Sequence, residues 1–184
     1  MKWLAFLLAA VLLTGCGGKN PELDRAMALR AKLLTADCTF EAEITADYGD
    51  ELSVFSVYCE ANQQGDLGFR VTAPESIADI TGRIRREEGN LTFSDTVLAF
   101  PLLAEEQLSP VSSPWMFLKC LRGGYLTSAG MDGELLRLTI DDRYEEKTIT
   151  LDIWLDSTDT PVRAEFCWEG RRILTMQISN FQIL

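Results

Sequence analysis

The residues able to do chemistry in this chain are set apart by an omission: there are five cysteines and no histidine. Without an imidazole, Ser-His-Asp and Cys-His nucleophile systems, histidine-ligated zinc and a histidine pH switch are excluded. No Gly-x-Ser-x-Gly, Ser-x-x-Lys, phosphate-binding loop or Gly-x-Gly-x-x-Gly occurs. Distant carboxylates could still converge as a hydrolase pair, but no pattern points to one, and the expectation is a protein that is not an enzyme. None of the cysteines stands as Cys-x-x-Cys, which argues against zinc and against a thioredoxin-like redox motif. Cys16 differs from the others because it closes an apolar run, at Leu13-Thr14-Gly15-Cys16. Cys38, Cys59, Cys120 and Cys167 lie in the body of the chain and could pair as disulfides outside the cytoplasm. Two charged groups invite a ligand reading. Arg83, Arg85 and Arg86 form a cationic cluster, yet Glu87 and Glu88 adjoin it, which favours local ion pairs over an anion site. Asp156 and Asp159 lack the spaced series of a calcium loop and read as an Asx-type turn. No metal and no cofactor is expected.

The element that positions Cys16 is the leader before it. Lys2 gives a basic start, Trp3 to Leu13 an apolar stretch, and Thr14-Gly15 two small residues. That is the three-part build of a secretory signal peptide, and the stretch is too short to span a bilayer as a mature helix. Leu13-Thr14-Gly15-Cys16 resembles the lipobox of bacterial lipoproteins. The resemblance implies diacylglycerol on the Cys16 sulfur, cleavage between Gly15 and Cys16, and acylation of the new amino terminus. The expected organisation is a signal peptide over 1–15, a lipidated tether over 16–20 and one domain over 21–184. Net charge is -11, and losing Lys2 makes the mature chain more acidic still. Such a balance excludes nucleic acid and a charge-driven grip on anionic lipid. Membrane attachment then rests on acyl chains, each buried CH₂ contributing about 0.8 kcal/mol. Gly17 replaces the aspartate that favours inner-membrane retention in enterobacterial lipoproteins. The outer face of the cell membrane and the outer membrane both stay open as destinations.

Further along, Asn20 reads as an N-cap, Pro21 as the first helical residue, and Glu22 and Asp24 as first-turn acids. Leu23, Ala26, Met27, Arg30, Leu33 and Leu34 share a stripe, predicting a helix over 21–34. From Cys38 the period becomes two. If Tyr48-Gly49 is a two-residue loop, Ile44 faces Ser53, Ala42 faces Phe55, Phe40 faces Val57, and Cys38 faces Cys59. That register is compatible with a Cys38–Cys59 disulfide or with two small buried hydrophobes. Alternation at Leu67/Phe69/Val71, Ile80/Gly82/Ile84, Leu136/Leu138/Ile140 and Ile149 to Leu155 predicts more strands. The last hairpin sets Phe166 against Leu174 and Ala164 against Met176, leaving Cys167 on the polar face. Cys120 and Cys167 are expected to be free thiols.

Thr96 to Pro110 breaks the alternation. Its apolar Val97, Leu98, Phe100, Leu102 and Leu103 suit a short helix and loop packed on the sheet, or a flap at a pocket mouth. Ser113 as cap and Pro114 then open a helix that ends at Gly123-Gly124. It is apolar on more than one side, as befits a helix lying in a concavity. Its Trp115 and Phe117 suit a ligand pocket or plain core.

The order is now an N-terminal helix, an antiparallel meander, one apolar helix and more meander. It resembles the LolA/LolB-like fold of bacterial periplasmic and surface lipoproteins. The likeness rests on Phe40-Glu41-Ala42-Glu43-Ile44 after the first helix and on Phe69-Arg70-Val71-Thr72-Ala73-Pro74. Gly89-Asn90-Leu91-Thr92-Phe93-Ser94-Asp95, the Ser113–Gly124 helix, and Leu151-Asp152-x-x-Leu155 with Pro161 complete it. The resemblance implies an α+β fold: a strongly curved antiparallel sheet, an incomplete β-barrel, with helices plugging the concave face. It also implies an apolar cavity for a lipid or acyl chain, for which Leu98, Phe100, Leu103, Trp115 and Phe117 are the candidate lining. LolB and mycobacterial lipid-carrying lipoproteins share the lipobox. So does a branch that includes the spore-germination lipoprotein GerS, in which the fold serves as a protein-binding partner. The leading expectation is a membrane-anchored extracytoplasmic lipoprotein holding a hydrophobic ligand. The alternative is an envelope or spore-germination lipoprotein that docks a protein.

Overall fold

The computed structural model describes residues 20–184, apart from 50–51, 86–87, 94–95, 101–102, 105–106 and 145–146. Cys16, with the leader and most of the tether, lies outside the described residues. Asn20 caps helix α1 (Pro21–Leu33), its Oδ1 accepting the Leu23 N–H at 3.0 Å. The buried stripe is Ala26, Leu29 and Leu33, while Leu23, Met27 and Leu34 of the expected stripe are exposed. The helix is turned by two arginines that tie its flanks down. Arg25 Nε donates to Asp159 Oδ1 at 2.7 Å, and Arg30 Nη2 to the Gly124 carbonyl at 2.7 Å. Long cationic side chains pack their stems and keep their heads on polar partners, so they share the inner flank that apolar spacing alone would give to Met27.

The strands are β1 (Cys38–Asp47), β2 (Leu52–Ala61), β3 (Leu67–Ala73), β4 (Thr81–Arg85), β5 (Glu88–Phe93) and β6 (Thr96–Phe100). After the short β7 (Leu103–Ala104) and β8 (Gln107–Leu108) comes helix α2 (Ser113–Gly123). Then follow β9 (Tyr125–Asp132), β10 (Leu135–Tyr144), β11 (Lys147–Leu155), β12 (Pro161–Trp168) and β13 (Arg171–Ile183). Eleven strands make one antiparallel sheet in the order β6-β5-β4-β3-β2-β1-β13-β12-β11-β10-β9. The pairing of β1 with β13 joins the two meanders.

The sheet is open, with β6 and β9 at its edges, and strongly curved. β3 and β10 are six strand spacings apart in this order, roughly 29 Å if the sheet lay flat at about 4.8 Å per strand. Helix α2, about 16 Å long and 10–12 Å across, nevertheless packs on β10 and reaches the β2–β3 turn. There Trp115 Nε1 donates to the Gly65 carbonyl at 3.1 Å and Arg122 Nη1 to that of Asn62 at 2.7 Å. Only a sheet curled around α2 permits both contacts. Two glycines leave room for aromatic side chains on its inner face: a Cβ on Gly82 would sit 2.1 Å from the Phe69 ring, and one on Gly89 2.5 Å from that of Phe100. Each pair is directly opposed across neighbouring strands, so a ring covers bare backbone on the core side.

Three local expectations are corrected. Of Thr96–Pro110 the described residues as far as Leu108 form strands rather than the expected short helix: Thr96–Phe100 is the edge strand β6, and β7 pairs with β8 in a separate small ribbon. The Tyr48 hydroxyl donates to the Leu108 carbonyl, tying that ribbon to the β1–β2 connection, and burial pushes the phenol up to about 12. Helix α2 is capped at Ser112, and Ser113 is already helical, its Oγ donating to the Pro110 carbonyl at 2.7 Å. The β1–β2 register sets Phe40 against Cys59, Ala42 against Val57 and Ile44 against Phe55, two residues from the expected pairing. A shift of two keeps every side chain on its face, so the apolar pattern cannot tell the two registers apart. The connection decides: the pairing runs to Asp47 with Leu52, so that connection is longer than the two-residue Tyr48-Gly49 loop expected.

Candidate binding site

The concave side was the expected ligand site, and among the described residues α2 packs into it. Trp115, Met116, Phe117, Leu118, Cys120 and Leu121 are all buried against the inner faces of the strands. Phe117 meets Phe40 edge-on with centroids 5.7 Å apart, and Phe181 stacks on Phe40 at 5.8 Å. Trp115 and Phe117 are therefore core. Leu98 and Phe100 sit elsewhere, on β6: Leu98 is 60% exposed and Phe100 half-buried at the margin of the core. Leu103 belongs to β7, and its side chain lies outside the described residues. Four of the five candidates are thus divided between a packed helix and a bare edge, and the fifth, Leu103, stands in the separate ribbon.

All four described cysteines are free thiols, so of the two readings left open for Cys38 and Cys59 the structure has the pair of small buried hydrophobes. In the observed register Cys59 opposes Phe40 and Cys38 opposes Ala61, so the two are diagonal rather than facing. Burial pushes every one of these thiols up. Cys38 is partly offset by Arg122, and Cys167 is raised further by Asp152 and Glu165. None has the depressed value of a nucleophile. Among the described residues no group of three or more Cys, Asp or Glu is arranged to hold a metal ion. The Asp156–Thr160 segment is an Asx-type turn: Asp156 Oδ1 accepts from the Thr158 and Thr160 amides at 2.8 and 3.0 Å.

The outer face of the sheet holds what the helix-facing side lacks. Over β10–β12, Asp152, almost buried, accepts from Arg137 Nη2 at 2.6 Å and Thr139 Oγ1 at 2.7 Å. The guanidiniums of Arg137 and Arg163 lie 5.4 and 4.6 Å from the Trp154 ring. The Asp152 carboxylate is satisfied within this cluster, which reads as a structural brace, although Arg163 Nε is buried with no hydrogen-bond partner among the described residues. Over β2–β6 the outer face is a groove of about 950 Å³, floored by Tyr58, Gly68, Arg70, Thr81, Arg83 and Asn90 and bounded by Val97 of β6. Of the predicted arginine cluster, Arg85 pairs at 2.9 Å with Asp66, distant in sequence, rather than with an adjoining glutamate, while Arg83 faces the groove. Arg86 and Glu87 lie outside the described residues. Sequence reading missed this groove because its residues are the polar alternates of strands judged by their apolar ones. Only the cross-strand register assembles them.

No protein-family model matches the sequence, and no curated protein matches it. Solved structures do. An uncharacterized conserved protein from Thermus thermophilus shares the fold at 12% identity with a TM-score of 0.50, over 88% of this chain and 87% of its own. A LolA superfamily protein from Nitrosomonas europaea aligns over 86% and 93%, with 11% identity and a TM-score of 0.47. A chain from the complex of the CwlD amidase with the GerS lipoprotein of Clostridioides difficile aligns over 92% and 98%, with 10% identity and a TM-score of 0.45.

Proposed function

We propose that this chain is a non-catalytic, extracytoplasmic lipoprotein held to a membrane by acyl chains on Cys16, and that its domain docks a protein partner along β6. The observation that carries the reading is a packed interior beside a bare edge. Strand β6 runs Thr96-Val97-Leu98-Ala99-Phe100 without a charge or a proline, with Val97 63% and Leu98 60% exposed. Natural sheets blunt their edges with charge, proline or a cover. The opposite edge obeys this rule, since α1 packs on β9. An unblunted apolar edge suits strand addition, in which main-chain hydrogen bonds give affinity and alternate side chains give selectivity.

A photo-crosslinking residue at position 97, introduced in cells, tests this directly. One discrete protein adduct is expected, lost when Leu98→Lys is added. A crosslinker that captures nothing, or an adduct indifferent to Leu98→Lys, contradicts the docking reading. Cys16→Ala is expected to release the protein or leave an unprocessed precursor, because so acidic a domain has no charge-driven hold on anionic lipid. A second reading, a lipid or acyl-chain ligand, is favoured by Leu98 alone, which lies on the core-facing side of β6 opposite Leu91 and is still exposed. It requires that a fluorescent fatty acid bind the protein and that Leu98→Glu abolish that binding.

A further inference from the structure

The groove over β2–β6 is ordered in two lanes that cross the strands. Tyr58, Arg70, Thr81, Thr92 and Val97 are successive cross-strand partners on the outer face. The second lane runs Glu60, Gly68, Arg83 and Asn90 in the same way. Each step of a lane is one strand spacing, about 4.8 Å. Gly68 carries no side chain, so the floor dips between Glu60 and Arg83.

Charge distinguishes this face from the rest of the molecule. The chain carries -11 overall. Arg70 and Arg83 nevertheless point into the groove, and among the described residues neither pairs with a carboxylate. Arg85, their neighbour, has its charge taken up by Asp66. Among the described residues the one acid in the groove, Glu60, lies beside the Tyr58 hydroxyl. A guanidinium fork matches a carboxylate in two parallel hydrogen bonds. Threonine hydroxyls and the Asn90 amide both donate and accept, which matches ligand hydroxyls rather than a bare anion. Two cations are too few for a nucleic acid backbone.

We propose that the outer-face groove over β2–β6 binds a carboxylated oligosaccharide laid across the strands. Arg70 and Arg83 take carboxylates, Thr81, Thr92 and Asn90 take ring hydroxyls, and the Tyr58 ring supplies an apolar face for a sugar. The site is independent of the edge of β6 apart from Val97 at its rim, so either reading can fail alone.

Isothermal titration of the full-length chain in detergent tests it, with oligogalacturonate as the acidic probe and chitohexaose, polyglutamate and inorganic phosphate as comparisons. Oligogalacturonate is expected to bind more tightly than all three. Arg70→Gln and Arg83→Gln should each weaken it about tenfold or more, the loss of a charge-assisted pair. Asn90→Ala should weaken oligogalacturonate but leave any polyglutamate binding unmoved. All three side chains are exposed, so the circular dichroism spectrum should not change. The proposal is overturned by no oligogalacturonate binding, by binding indifferent to both arginine variants, or by equal or tighter binding of polyglutamate or phosphate.

Discussion

At the scale of single residues, the cysteines divide by environment. Cys38, Cys59 and Cys120 are buried thiols raised by desolvation, and Cys167 is only partly buried. Iodoacetamide at neutral pH should label Cys167 first and the other three only after denaturation, as read by peptide mass spectrometry. A Cys38–Cys59 cross-linked peptide from the unreduced protein would contradict the free-thiol structure. Asp156 carries a pH dependence of defined sign. Partial burial raises its carboxyl, but hydrogen bonds from Thr158 and Thr160 outweigh this and hold it below the ordinary 3.8. A carboxyl depressed in the folded state stabilises above its unfolded value, and the contribution is lost as pH falls through the folded one. Asp156→Ala should therefore cost about 1 kcal/mol at neutral pH, the usual worth of such hydrogen bonds. The deficit relative to wild type should shrink below pH ~3, as urea midpoints at both pH values would show.

At the scale of elements, apolar period and capping chemistry made most of the fold legible. Asn20-Pro21 and Pro114 mark both helices, and alternation marks β1–β4 and β10–β13. What stayed hidden lacks a local signature. Strand β6 is apolar without a period because four of its five residues are exposed, on both faces, and only Phe100 at its end packs on the core margin. The β1–β2 register escaped because faces repeat every two residues and only the connection fixes the offset. The face of α1 was partly read, with Ala26, Arg30 and Leu33 on the expected stripe, but Leu29 and Arg25, which is held by the distant Asp159, lay outside it. Two substitutions test the packing that curls the sheet. Phe117→Ala should cost about 3–5 kcal/mol, the range for a fully buried aromatic. Gly82→Val should cost about 1–3 kcal/mol by driving a side chain into the Phe69 ring. Thermal or urea denaturation measures both, and a neutral Gly82→Val would mean that β3 and β4 are not held in this close pairing.

At the scale of the whole molecule, one polypeptide is read as three functional surfaces: an acylated tether, a packed half-barrel and an exposed sheet with a bare edge and a cationic groove. The proposed tether rests on the sequence alone, on a short apolar run and two small residues contiguous with Cys16, which lies outside the described residues. The half-barrel was legible from the order of its elements. The interior was not, because whether a concave sheet holds a ligand or a helix depends on the volumes of side chains far apart in sequence. Here Phe40, Phe117 and Phe181 come from β1, α2 and β13 to occupy that space. Native mass spectrometry of the chain purified from host membranes tests the central claim most directly, that this is an acyl-anchored docking module with a filled interior. One species is predicted: the polypeptide from Cys16 onward with covalent acyl chains and nothing else retained. A reproducible non-covalent lipid adduct, or a mature chain without acyl modification, would contradict it.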